Sequence, residues 1–161
     1  DLQRPEIFAD IAQACTGLEA QLVISLGNPR AQPMTLPGNP LVVPFAPHQR
    51  LIERSQLVIT HAGMNTVLTA LSCAKPLVTI PITNEQPGIA ARVERSGAGR
   101  RLGLNQLSPS SLGRIIREVL EQPSYGARAQ ALQEDIARAG GVRQAAEIAE
   151  QVARTHQPVL A

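Results

Sequence analysis

The sequence predicts an α/β fold, a parallel β-sheet with helices on both faces. Short apolar runs rich in β-branched residues, such as QLVISLG (Gln21 to Gly27) and PLVTIPI (Pro76 to Ile82), alternate with segments of helical periodicity. Parallel neighbours need such crossover connections. The runs are also nearly continuous in apolar residues, as strands covered on both faces are. Sheets of this kind bind ligands outside the carboxyl ends of their strands, and polar residues gather there in this chain.

The elements follow in order. RPEIFADIAQACTGL sets Ile7, Phe8, Ile11, Ala14 and Cys15 on one helical face, with Pro5 at the start and Gly17 at the end. QLVISLG is a strand expected to be covered on both faces, and NPRAQPMTLPGNP is a loop forced by its prolines and glycines. LVVPFAP is a second strand, HQRLIERS a short helix and LVIT a third strand. GMNTVLTALSCA is helical, with Met64, Val67, Leu68 and Leu71 expected to face inward. PLVTIPI is a fourth strand, and EQPGIAARVERSG a helix stopped by Gly97. AGRRLGL reads as an edge strand whose arginines lie on its wet side. SPSSLGRIIREVLEQ is a helix with Ser108 as N-cap and Pro109 at its first position. Two more helices are expected near Tyr125 to Ala139 and Val142 to Thr155. SGAGRRLG echoes a phosphate loop, but it follows a helix and not a strand, so it reads as a helix stop and turn.

At 161 residues the chain is expected to form one domain spanning 1–161, large enough to bury roughly two thirds of its unfolded surface. Its formal charge of +2 comes from scattered arginines and a single lysine, Lys75. With only Phe8, Phe45 and Tyr125 as aromatic residues, neither a basic stripe nor a stacking platform for nucleic acid is present. Cys15 and Cys73 read as buried apolar residues in a reducing compartment, without a disulfide or a metal. No run approaches the roughly 20 residues of a transmembrane helix. The expected location is the cytoplasm, with peripheral membrane association left open for a longer protein. A chain starting at Asp1, directly before a helical pattern, is expected to be a fragment of a longer polypeptide.

The stretch LVITHAGMNTVLTALSCAKPLVTIPITNEQ carries the candidate site. A strand ending at Thr60, then His61-Ala62-Gly63 and a helix, leaves unpaired N–H groups at the positive end of a helix dipole. That is an anion site. Gly63 permits close approach, and His61, Asn65 and Thr66 add side-chain donors. No acidic or histidine pair stands nearby, so the expected ligand is a diphosphate held without a metal. Asn65, Thr66 and Glu85 would equally serve as plain helix caps. A second polar group at the next strand end, Thr83 to Gln86, favours a ligand with phosphate and hydroxyls.

FAPHQRLIERSQLVITHAGMNTVLTALSCAKPLVTIPITNEQ, Phe45 to Gln86, resembles the donor-binding signature of nucleotide-sugar-dependent glycosyltransferases of the two-Rossmann-domain (GT-B) type. It is most similar to bacterial macrolide and zeaxanthin glycosyltransferases of the UDP-glycosyltransferase superfamily. The features in register are the aromatic-x-Pro at Phe45 to Pro47, His-x-Gly-x-Asn-Thr at His61 to Thr66, the Pro76 and Pro81 frame, and Glu85-Gln86. The resemblance implies a Rossmann-like half of a GT-B fold that binds a UDP-hexose donor, with no cofactor.

It further implies that Phe45 stacks on the base, Ala46 reads the base edge, and His48 and Thr69 lie beside the nucleoside. His61, Gly63, Asn65 and Thr66 would hold the diphosphate, and Glu85 and Gln86 the sugar hydroxyls. Thr69 stands where the family places a carboxylate that grips the ribose, which puts nucleotide identity in question. His48 replaces a usual glutamine and Ala74 a common glycine.

The resemblance also implies a missing N-terminal acceptor domain carrying the general base, so no catalytic residue is expected in this chain and it should be inactive alone. The family's first, central strand is absent. QLVISLG and LVIT therefore lack their common neighbour, which predicts a rearranged closure of the gap or pairing with another chain as a homo-oligomer. The alternatives are a donor-binding subunit of a two-component glycosyltransferase, a nucleotide-sugar epimerase-like domain, and a nucleotide-binding module without turnover.

Overall fold

A computed structural model describes residues 5–32 and 34–159. In chain order the elements are α1 (Pro5–Ala14), β1 (Val23–Ser25), β2 (Leu41–Val43), α2 (His48–Glu53), β3 (Val58–Thr60), α3 (Met64–Ser72) and β4 (Leu77–Thr79). They continue with α4 (Gln86–Ser96), β5 (Gly99–Arg101), α5 (Pro109–Glu121), α6 (Pro123–Arg138) and α7 (Gly141–Thr155). Every strand pairing is parallel, as the alternation requires: β1 with β2, β3 with β4, and β4 with β5.

The sequence signals act where they were read. Gly97 ends α4 at φ 77°, its N–H donating to the Glu94 carbonyl, so the glycines after Ser96 stop a helix and do not cradle a phosphate. Ser108 and Ser111 form a reciprocal capping box ahead of α5, with Pro109 in its first turn. Both cysteines are free thiols, but Cys15 and Cys73 are each only half-buried, which corrects the expectation of buried residues. None of the described helices is long and apolar enough to cross a membrane.

β4 positions the rest because it is buried on both faces. Leu77 packs with Val67, Leu71, Ile89, Val93 and Ala129, the layer made by α3, α4 and α6. Its neighbour Val78 points the other way, with Ile80, into Ala14, Leu112, Ile116 and Val119 of α1 and α5. Burying side chains such as Leu112 or Ile116 contributes about 2 kcal/mol each. The fully buried Thr79 hydroxyl is satisfied by donating to the Arg100 carbonyl at 3.1 Å.

The described strands form two sheets, β1-β2 and β3-β4-β5, with no hydrogen bonds joining them. β1 and β3 therefore each leave one edge open, and among the described residues no rearranged strand closes the gap between them, which corrects the expectation of a rearranged closure. The expectation that Gln21 to Gly27 is covered on both faces is corrected as well. Ile24 and Leu26 are buried, whereas Val23 and Ser25 are half-covered and Leu41 of β2 is 53% exposed. A two-stranded ribbon has too few neighbours to bury both sides.

A further correction concerns α3. Val67, Ala70 and Leu71 form its buried face, while Met64 is 45% and Leu68 44% exposed. Val67, Ala70 and Leu71 pack in one buried layer with Ile89 and Val93 of α4 and Ala129 of α6, which leaves Met64 and Leu68 outside it.

Candidate functional site

The site is built on the turn from β3 into α3. Thr60 ends the strand, and its carbonyl accepts from the Ile80 N–H at 2.8 Å, tying β3 to β4 at the last rung. Ala62 then reverses the chain at φ 68° with its methyl wholly buried. A left-handed non-glycine residue costs about 1–2 kcal/mol, and local strain of this kind often marks a site. Gly63 is the N-cap at φ −62° and ψ 132°, and no side chain caps the helix. The first intrahelical bond runs from Val67 N–H to the Gly63 carbonyl. The N–H groups of Met64, Asn65 and Thr66 thus have no intrahelical acceptor. Three donors stand at the positive end of the helix dipole with no backbone acceptor among the described residues.

The side chains expected there are free to act. His61 is exposed, and its Nε2 lies over Gly63, 2.8 Å from where a Cβ would stand. The side chains of Asn65 and Thr66 make no hydrogen bond to any described residue, so they do not cap the helix. Desolvation pushes the His61 imidazole below its ordinary 6.5, while the Glu85 carboxylate pulls it upward and His48 pushes it down. At neutral pH the ring is uncharged and offers one N–H donor. These influences also show that His48 at the start of α2, His61 after β3 and Glu85 after β4 lie within electrostatic reach of one another.

Glu85 occupies the N-cap position of α4, but its carboxylate makes no capping bond and it is exposed. Gln86 behaves differently. Its Oε1 accepts from the backbone N–H groups of Ile82 at 2.9 Å and Thr83 at 3.1 Å. Only the amide NH₂ remains for a ligand. Asn84, in left-handed conformation at φ 53°, completes this turn and accepts from the Thr83 hydroxyl. Sequence reasoning missed the double acceptor role of Gln86, and the only available signal was a side-chain amide four residues after Ile82, where the apolar run ends.

Phe45 and Ala46 lie in the loop between β2 and α2, where Phe45 is 58% exposed with its ring available for stacking. Thr69 lies one helical turn beyond Asn65 and donates its hydroxyl to the Asn65 carbonyl at 2.8 Å. That hydroxyl hydrogen is committed, leaving Thr69 only lone pairs. Among the described residues no group of three or more His, Cys, Asp or Glu side chains is placed to hold a metal ion.

The sequence and the fold of the chain match known proteins. Residues 9–154 match the family model described as erythromycin biosynthesis protein CIII-like, C-terminal domain. The chain is 35% identical over 158 residues to a zeaxanthin glucosyltransferase of Pantoea ananas, covering 96% of this chain and 36% of the relative. It is 30% identical over 145 residues to an NDP-glycosyltransferase of Bacillus subtilis, covering 88% and 37%. The calicheamicin glycosyltransferase CalG4 superposes with a TM-score of 0.81 at 26% identity, over 95% of this chain and 41% of that one. The glycotransferase of kitacinnamycin superposes with a TM-score of 0.82 at 25% identity, over 91% and 39%. The chain spans little more than a third of the length of these relatives. It belongs to the erythromycin biosynthesis protein CIII-like C-terminal domain family, the C-terminal, donor-binding half of GT-B glycosyltransferases.

Proposed function

We propose that this chain binds a UDP-hexose donor, without a metal, for transfer of the sugar to an acceptor hydroxyl. The observation that carries this reading is the open start of α3, with three uncommitted N–H donors and His61 standing over Gly63. In the reaction the acceptor oxygen bonds to the anomeric carbon as the bond to the diphosphate oxygen breaks. Negative charge grows on the departing diphosphate. Donors fixed before the reaction stabilise that charge with no reorganisation, and the α3 N–H groups are of this kind.

His61, Gly63, Asn65 and Thr66 hold the diphosphate; Phe45 and Ala46 meet the base, with His48 and Thr69 beside the nucleoside. Glu85 and the Gln86 NH₂ pair with sugar hydroxyls, where an unmatched hydroxyl is penalised. The proton of the acceptor is taken by a base of a separate N-terminal acceptor domain, so this chain alone is inactive. It works in the cytoplasm. The open edges of β1 and β3 favour pairing with a strand of another chain, and light scattering of the purified chain tests whether that partner is a second copy.

Isothermal titration calorimetry with UDP, UDP-glucose and dTDP-glucose tests the donor assignment, repeated on His61→Ala. The expected result is binding of the UDP ligands that weakens about tenfold on loss of the imidazole donor. Equal affinity in the variant would overturn the diphosphate site.

A further inference from the structure

One helical turn along α3 from Asn65, α2, α3 and α6 border an open cleft of about 520 Å³ lined by Gln49, Glu53, Leu68, Thr69, Ser72 and Gln133, among others. It begins where the α3 face that carries Asn65 reaches Thr69, about 6 Å along the helix axis. That rise is of the order of the reach from a 5′-phosphate across its methylene to the ribose hydroxyls. A nucleotide with its phosphates at the helix start thus brings its diol to the mouth of this cleft.

A vicinal diol presents two O–H donors and calls for a paired acceptor. Thr69 cannot supply one, since it has a single oxygen whose hydrogen is given to Asn65. Glu53 is the one charged residue lining the cleft. Its Oε1 accepts from Gln49 Nε2 at 3.0 Å, one turn earlier on α2. That bond orients the carboxylate and leaves Oε2 and the second lone pair of Oε1 for a ligand. Leu68, 44% exposed on the facing helix, offers an apolar surface against which a sugar ring can lie.

We propose that Glu53, oriented by Gln49, is the acceptor that reads the ribose diol of the donor nucleotide, a role moved from α3 to the facing helix α2. This rests on the donor-binding reading above and adds to it a residue and a selectivity for ribonucleotides over deoxyribonucleotides.

The test is calorimetric titration of the full chain and of Glu53→Gln with UDP, 2′-deoxy-UDP and inorganic pyrophosphate. The proposal expects UDP to bind about tenfold or more tightly than 2′-deoxy-UDP. In Glu53→Gln that ratio should fall to within about twofold, with pyrophosphate affinity unchanged. Equal binding of the two nucleotides by the unmodified chain overturns it, as does a ratio that survives in Glu53→Gln. Failure of all three ligands to bind overturns the donor reading itself, and this proposal with it. Glu53 is exposed, and Glu53→Asp, which keeps the charge but shortens the reach, should retain part of the selectivity and so separates diol recognition from any change in folding.

Discussion

The His61 imidazole lies over Gly63, with Nε2 2.8 Å from the point a Cβ on that glycine would occupy. Gly63 does not need its glycine for backbone reasons, since φ is −62°. It needs it so that the ring can stand over the helix start. Gly63→Ala should therefore displace the ring, weaken UDP-glucose binding about tenfold, and leave the thermal midpoint nearly unchanged because only an exposed side chain must move. A large loss of stability with affinity retained would contradict this.

Gln86 joins two tasks that substitution can separate. Gln86→Ala leaves the Ile82 and Thr83 N–H groups without their acceptor and should destabilise the chain by about 1 kcal/mol, read from urea denaturation. Gln86→Glu keeps an acceptor for both and adds a negative charge at a helix N-terminus. It should hold stability while losing the NH₂ donor, so that binding of UDP-glucose weakens and binding of UDP does not.

Proton uptake should accompany donor binding. In the free chain partial desolvation holds the exposed His61 imidazole below its ordinary 6.5, whereas a diphosphate beside it favours the cation. Affinity for UDP-glucose should rise as pH falls across the range from about 8 to 5. Calorimetry in buffers of different ionisation enthalpy should show the proton entering, and His61→Gln should abolish the effect. UDP-glucose is the right probe because a terminal phosphate itself titrates near about 6. For folding the sign is opposite: a lowered native pKa means that the unfolded chain binds more protons, so stability declines as pH falls through about 6.5.

Ala74 ends α3 in left-handed conformation at φ 55°, its N–H donating to the Leu71 carbonyl and that of Lys75 to Ala70. This is the helix stop that glycine occupies without steric cost. Ala74→Gly should stabilise the chain by about 1 kcal/mol, seen as a higher thermal midpoint with donor affinity unchanged.

Gly99 gives the contrasting case, because a Cβ there would stand 2.2 Å from the Leu77 carbonyl oxygen and 3.0 Å from a Val93 methyl. Neither strand backbone can yield. Gly99→Ala should cost more than about 3 kcal/mol and give insoluble or unfolded protein on expression.

The alternation of β-branched runs with helical periods, the Gly97 stop and the Ser108 cap were readable one residue at a time, because each acts within a few residues of itself. The uncapped helix start proposed to hold an anion was readable for the same reason: a strand, a tight turn and a helix start are local, and His61, Gly63, Asn65 and Thr66 lie within six residues. The inward face of α3 was not. Met64 and Leu68 fit the helical period as well as Val67 and Leu71 do, and packing into the layer with Ile89, Val93 and Ala129 selected between them.

By itself, then, the order of the residues determined the α/β class, the parallel strands and the uncapped start of α3, since backbone sterics and hydrogen-bond demand operate over short separations. Only the tertiary structure decided the break between β1-β2 and β3-β4-β5, the commitment of Gln86 to Ile82 and Thr83, and the meeting of Glu53 with Thr69 across a cleft. Those outcomes depend on which distant segments share a surface, and burial and packing settle that for the chain as a whole.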